Sequence, residues 1–173
     1  MIYVPPISNY KPFYIQAATD LTAWDTTTYG LVAQTQPSLG KHEVKEPYKN
    51  DWKDEHGDDE YVAQMFFKAF EFTVKFYIKT FKDTSTTPAK TAKSVMNKQV
   101  SDFLTKVKTG EFKVWDSWQE VGYQKVRYVK DDYDDDIREI EDDCAWTIFS
   151  VTFKVNDPAT AVTYSNQSIT TVQ

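Results

Sequence analysis

The acidic run from Asp131 to Asp143 is where this sequence comes nearest to reaction or metal chemistry. Asp132, Asp134 and Asp136 alternate as ligands do at the start of a calcium loop, and Asp143 stands at the twelfth position, where a bidentate carboxylate would complete the cage. The sixth position, however, is Ile137 where the sharp turn needs glycine, and the seventh is Arg138, a cation inside a cation site. The run is therefore expected to be a solvated acidic loop. The segment Asp54 to Glu60 departs further from the same template. It reads as the tip of a polar loop, with Gly57, Asp58 and Asp59 as a hairpin turn.

Other reactive side chains are sparse. His42 and His56 lie in polar, loop-like sequence away from any nucleophile motif, so an exposed structural role is expected for both. Cys144 has no basic helper nearby and reads as a small core residue. There is no Gly-rich phosphate loop, zinc spacing or nucleophile elbow. Paired carboxylates of the glycosidase kind leave no fixed spacing, and nothing in the sequence marks a cleft to hold them. Trp115, Trp118 and Tyr123 are spaced to form a sugar-stacking platform, or else to pack in a sheet or at a subunit contact. No catalytic residue, metal or cofactor is expected, and the chain does not read as an enzyme.

The elements that must position these residues are mostly strands. In Phe70 to Phe81, Phe70, Phe72, Val74, Phe76 and Ile78 alternate with Glu71, Thr73, Lys75, Tyr77 and Lys79, as in an antiparallel strand with one dry and one polar face. Ala145 to Val155 alternates in the same way, and Asp157-Pro158 is expected to stop it. Shorter strands are expected at Phe13 to Gln16, Phe112 to Asp116 and Tyr123 to Val129, with a hairpin loop from Ser117 to Gly122 and a further pair around Tyr29-Gly30. One helix stands out. Thr87 is its expected N-cap, Pro88 its first residue and Gly110 its stop, with Ala92, Val95, Met96, Val100, Phe103, Leu104 and Val107 in a single apolar stripe.

The bulk properties set bounds. A chain of 173 residues fits one domain with a core of its own. A single cysteine allows no internal disulfide, and a net charge of −6 argues against a duplex-DNA binder that replaces counterions with a basic face. No signal peptide or membrane span is expected. Aromatic residues make up 16% of the chain, a composition that suits both half-buried sheets and protein interfaces. The expected fold is mainly β (α+β): an antiparallel β-sandwich or partly closed barrel with one principal helix, about Pro88 to Lys108. Residues 1–12 read as an extended arm, 13–158 as the domain, and 159–173 as a flexible tail or a strand added to a neighbour.

The order of these elements resembles a known family. A polar loop (Trp52 to Gly57) precedes the long strand Phe70 to Phe76. One helix, Gly110-Glu-Phe-Lys-Val-Trp-Asp116, Val126-Arg-Tyr128 and the closing Phe149 to Pro158 then follow. This is similar to the N-terminal domain of phage distal tail proteins, which share a sandwich-plus-helix fold with tail-tube proteins. The resemblance covers about residues 13–158. It implies a structural virion protein, made in the bacterial host cytoplasm, that forms a homo-oligomeric ring, typically of six. Such a ring stacks on other tail or baseplate proteins while DNA passes through the channel without specific binding. An acidic lumen would suit that passage, since each Lys or Arg contact to phosphate acts as a brake. With no second domain after Pro158, a distal-tail, tail-tube or tail-completion role fits the length. Aromatic content and loop position mark Tyr3, Tyr10, Phe13, Trp52, Trp115, Trp118 and Tyr123 as subunit-interface candidates. The competing reading is a monomeric carbohydrate-binding β-sandwich that uses Trp115, Trp118 and Tyr123.

Overall fold

Phe70–Phe81 forms the strand that its alternation predicts: Phe72, Val74, Phe76 and Ile78 are buried, while Glu71, Thr73 and Lys75 are exposed. The structure is a computed structural model that describes residues 10–35, 43–45, 49–50, 59–60, 66–133, 138–140 and 143–172. In chain order the strands begin with β1 (Phe13–Ala17), β2 (Trp24–Asp25), β3 (Leu31–Thr35), β4 (Lys49–Asn50), β5 (Asp59–Glu60) and β6 (Phe70–Phe81). Helix α1 (Ala92–Val107) follows, then β7 (Phe112–Asp116), β8 (Val121–Tyr133), β9 (Arg138–Ile140), β10 (Cys144–Ser165) and β11 (Ser168–Thr171). Nine of the strands join one antiparallel sheet, ordered β2-β1-β7-β8-β10-β6-β3, with β9 and β11 both paired to β10. The sheet curls into a half-barrel, and β4 and β5 pair separately. This is the mainly β fold with one principal helix that the sequence leads one to expect.

The inner face of the curl is dry because α1 lies in it. Met96, Val100, Phe103 and Val107 recur along one side of the helix and are almost fully buried. Phe103 is the centre of the packing, with its ring edge-on to Trp24, Tyr29, Phe76 and Phe149 at 5.3–6.5 Å. Lys106 then fastens the helix's last turn to the β1–β2 turn, where Asp20 accepts its proton at 2.6 Å along with those of Ala17 N and Trp24 Nε1. Burial alone would raise the Asp20 carboxyl, but these donors outweigh it and hold it below the usual carboxylate range.

Several local expectations give way. Helix α1 begins one turn later than Thr87-Pro88, because Thr91 caps it by accepting from Ser94 N at 3.2 Å. The expected cap instead lies in a loop closed by backbone bonds between Asp83 and Lys90, in which the Thr87–Pro88 peptide is cis. The strands flanking Tyr29-Gly30 do not pair with each other. A single 3-10 turn (Thr26–Tyr29) sends the chain from β2, on β1, across to β3, on β6. Part of the acidic run is strand rather than loop, at the end of β8 and in β9. Cys144 is half-buried at the start of β10 rather than in the core. His42, His56 and the Gly57 turn lie outside the described residues.

The largest departure concerns Asp157-Pro158, which bends β10 instead of ending it. Asp157 faces Gln124 and Ala161 faces Tyr123, so β10 advances four residues where β8 advances one. Pro158 falls inside that bulge, where the ladder needs no N–H from it. The Asp157 carboxylate pins the bend by accepting from Gln124 Nε2 (2.9 Å) and Thr160 Oγ1 (3.0 Å), with Lys125 Nζ at 3.5 Å. Residues 159–172, expected as a flexible tail, therefore continue β10 and turn back as β11 through Asn166 and Gln167, both at positive φ. Such a pair of φ values is what a two-residue hairpin turn requires.

Candidate assembly surface

The outer face of the sheet is divided by that C-terminal hairpin. Over β1 and β7 it is covered. Ile169 and Val162 are buried against the sheet, and Tyr164 stacks on Tyr14 with ring centres 4.1 Å apart. Gln16 supports the cover from below, with its oxygen accepting from Ile169 N (2.7 Å) and its nitrogen donating to Ser168 Oγ (3.2 Å). Lys113 Nζ donates to the Ile169 carbonyl at 2.9 Å. Burial and the hydroxyl of Tyr164 push the Tyr14 phenol up to about 12.

Over β6, β10 and β8 the outer face is polar, and the hairpin does not reach it. Its floor is the centre of β10, where Ser150 and Thr152 are short, and the Thr152 and Thr73 hydroxyls share a hydrogen bond of 3.0 Å. Longer side chains rise on both sides. The register places Glu71, Lys75 and Lys79 on β6, Lys154 on β10, and Arg127, Lys130 and Asp132 on β8, all on this face. Lys75, Arg127 and Lys130 are exposed. Strand alternation produces most of this arrangement, and a bulge in β8 between Tyr128 and Lys130 brings Lys130 onto the same face as Arg127.

The sequence candidates are scattered by the fold rather than gathered. Tyr123 is 3% exposed, with its ring edge-on to Phe70 at 5.3 Å. Trp115 is half-buried on the opposite face of the sheet, against Gly122. Trp118 is 51% exposed at the β7–β8 turn, with Lys11 Nζ 5.7 Å from its ring centre. The three form no shared sugar platform, because one points into the core. Phe13 is also a core residue, edge-on to Phe76 at 6.5 Å. Tyr10 is half-buried and donates to Asp25 Oδ1 at 2.9 Å; burial, then the Asp25 charge, raises its phenol well above its ordinary value. Tyr3 and Trp52 lie outside the described residues.

The acidic run is split in the same way. Asp131 turns toward the helix, where it accepts from Tyr128 Oη and, at 3.3 Å, from Lys108 Nζ, which itself lies 4.7 Å from the centre of the Tyr128 ring. Asp132 sits opposite Ser150 on the outer face, whereas Asp143 precedes Cys144 and pairs with Lys82 at 3.6 Å. Ser150 and Cys144 are six residues apart on β10, about 20 Å along the strand, which keeps the two carboxylates far from each other. They cannot share a calcium ion. Among the described residues no group of three or more His, Cys, Asp or Glu is placed to hold a metal, and no helix is long and apolar enough to cross a membrane.

Among the described residues, one cleft of 220 Å³ lies beside Gln16, Glu111 and Lys113, and another of 300 Å³ lies between α1 and Tyr133. The polar groups of the first are already engaged within the fold: Gln16 and Lys113 by the hairpin, Glu111 by Asn156 Nδ2 at 3.2 Å. In the second, Lys108 is held by Asp131. Neither presents the convergent, uncommitted groups of a reaction site. The outer face of β6 was legible as a polar strand face. The charge it shares with β8 and β10 was not, because it depends on which strands lie side by side.

No protein-family model matches the chain, and no curated protein matches it. Among solved structures, the fold is similar to that of the Dit protein (gp 19.1) of phage SPP1, described as a paradigm of the hub adsorption apparatus in phages that infect Gram-positive hosts. The TM-score is 0.51 at 14% identity, over 89% of this chain and 53% of that one. This chain thus spans about half the length of Dit. The likeness is one of fold.

Proposed function

We propose that this protein is a structural subunit of a phage tail, of the hub or distal-tail kind, that works without catalysis by assembling with copies of itself into a ring. The observation that carries the reading is the similarity to Dit over 89% of the chain. The element order seen in the sequence and the absence of convergent reactive groups from the described clefts agree with it. On this reading the ring, of six copies, stacks on neighbouring tail or baseplate proteins. DNA passes along its channel without specific binding, and the protein resides in the virion after synthesis in the host cytoplasm. Of the described interface candidates, Trp118, exposed at a turn tip and flanked by Lys11, is the one placed to meet a neighbour. The N-terminal arm with Tyr3 and the loop containing Trp52 remain interface candidates on sequence grounds.

Light scattering coupled to sizing, with negative-stain imaging at high protein concentration, tests the proposal. The expected result is a closed ring of uniform diameter. A species that stays monomeric at every concentration, alone and with co-expressed neighbouring tail proteins, would refute it.

A further inference from the structure

The turn that carries Trp118 is held by a carboxyl with almost no access to water. Asp116, the last residue of β7, is 3% exposed. Its Oδ1 accepts from Trp118 N at 2.8 Å, whereas its Oδ2 is shielded from water and has no hydrogen-bond partner. Buried polar atoms normally find a partner, and a charged oxygen without one is among the costliest groups to bury. The surroundings relieve it little. Phe13 on β1 and Val121 on β8 stand opposite Asp116 in the ladder, and neither has a polar side chain. Lys11, just before β1, is the charge that acts on Asp116, but it is exposed and its Nζ lies 5.7 Å from the Trp118 ring centre. Burial outweighs the N–H groups of Trp118 and Gln119 and the Lys11 charge, and it raises the Asp116 carboxyl above its ordinary range.

We infer that Asp116 is a pH-sensitive latch on the turn that presents Trp118. As the neutral acid, its side chain stays under the turn with Trp118 N bonded to it. As the carboxylate, Oδ2 draws water, and the turn must give to admit it. The bond that ties this turn to the chain before β1 is a single one, from Ser117 N to the Pro12 carbonyl at 3.2 Å. A carboxyl that binds its proton more tightly in the folded chain contributes stability below its unfolded value, and that contribution is lost as pH rises through the folded one. The latch acts within one chain and does not depend on the ring reading. If copies do associate, it also governs how Trp118 meets a neighbour.

The test uses the full chain and Asp116→Asn, which keeps an acceptor for Trp118 N and cannot ionise. Carboxyl-carbon NMR of labelled aspartate gives the titration midpoint of Asp116. Amide hydrogen exchange at Ser117 and Trp118, expressed as protection so that the intrinsic effect of pH cancels, gives the state of the turn. The expected result is a midpoint above 3.8, with protection at both amides falling through that same midpoint in the wild type and staying level in the variant. Urea denaturation from about pH 3 to about pH 8 should show the variant gaining stability relative to the wild type as pH passes the midpoint. A midpoint at or below 3.8, protection that does not follow the titration, or an equal fall in the variant overturns the latch and leaves the ring reading standing. Should Asp116→Asn fail to fold, the wild-type midpoint and its coincidence with the loss of protection decide the matter.

Discussion

Gly122→Ala should be the most damaging single-methyl change in this protein, and its sign separates packing from chain entropy. Gly122 has no positive φ, so alanine suits its backbone. In open space the substitution would stabilise by about 0.4–1 kcal/mol, because alanine restricts the unfolded chain. The space is not open. A Cβ there would lie 2.3 Å from the Val114 carbonyl oxygen, 2.8 Å from Val162 Cγ2 and 2.9 Å from Trp115 Cε3. The carbonyl is the obstacle that cannot swing away. It belongs to β7, which is paired to β8 on one side and to β1 on the other. The Cβ–oxygen approach is about 1 Å short of ordinary contact. Either the β7–β8 ladder opens or the residue shifts into the hairpin above it. Overpacking of this kind costs about 1–3 kcal/mol, and a lost ladder bond adds about 1. A net loss of about 2–4 kcal/mol is expected, or about 5–15 °C in Tm for a chain of this size. Urea denaturation followed by tryptophan fluorescence measures it. Adding Val162→Ala removes the side-chain clash but not the carbonyl, so it should recover only a minor part. A single variant as stable as the wild type, or more so, would show that β7 and β8 do not approach each other at Gly122 as described.

The remaining predictions address the helix, its anchor and the turn tip. Thr91→Ala should cost about 1 kcal/mol by removing the α1 cap, while Thr87→Ala should be near neutral; chemical denaturation of both variants distinguishes the two cap assignments. Asp20→Asn should cost about 1–3 kcal/mol at neutral pH, since a charged acceptor of several hydrogen bonds is lost. The Asp20 carboxyl is lowered from 3.8 in the folded state, so its contribution is present above that value and disappears as pH falls through the lower folded one. The variant's stability curve should therefore be flatter than the wild type's below about pH 4, and equal acid limbs in the two proteins would refute the anchor. Trp118→Ala should leave the melt unchanged while weakening self-association by about 2 kcal/mol, roughly thirtyfold, if its ring is an anchor of the contact; sedimentation reads both sides of that statement.

The legible parts of the fold were those dictated by local period. Phe70–Phe81 and the first half of β10 alternate strictly, and the α1 stripe repeats at three and four, so the buried face of each follows from the pattern alone. The illegible parts depended on neighbours remote in sequence. Two threonines, Thr87 and Thr91, offer the same capping chemistry, and the Asp83–Lys90 backbone pair favours the second. Asp157-Pro158 carries a strand-ending signal, yet a bulge converts it into a bend because Gln124 and Thr160 satisfy the carboxylate there. The hairpin beyond it turns on Asn166-Gln167, a pair that lacks the glycine of the strong turn signals. For the candidate surface, Trp115, Trp118 and Tyr123 are close in sequence, but strand alternation sends Trp115 and Tyr123 to opposite faces. Nearness along a β hairpin is a poor guide to a shared platform.

The division of the outer face also bears on how such a chain could assemble without a pocket. The inner face of the curl is filled by α1, and Phe103 sits at the centre of that packing. Neither can be offered to a partner without exposing the core, a loss of the kind that costs several kcal/mol. The β1–β7 half of the outer face is occupied by the chain's own hairpin, tied down through Gln16 and Lys113. On the β6–β10–β8 half, Arg127 and Lys130 are exposed and lie outside the core. On that half, Arg127 and Lys130 can be reversed in charge without touching a core contact. A change at those two positions should therefore leave stability intact, while a change at Gly122, beneath the covered half, should not.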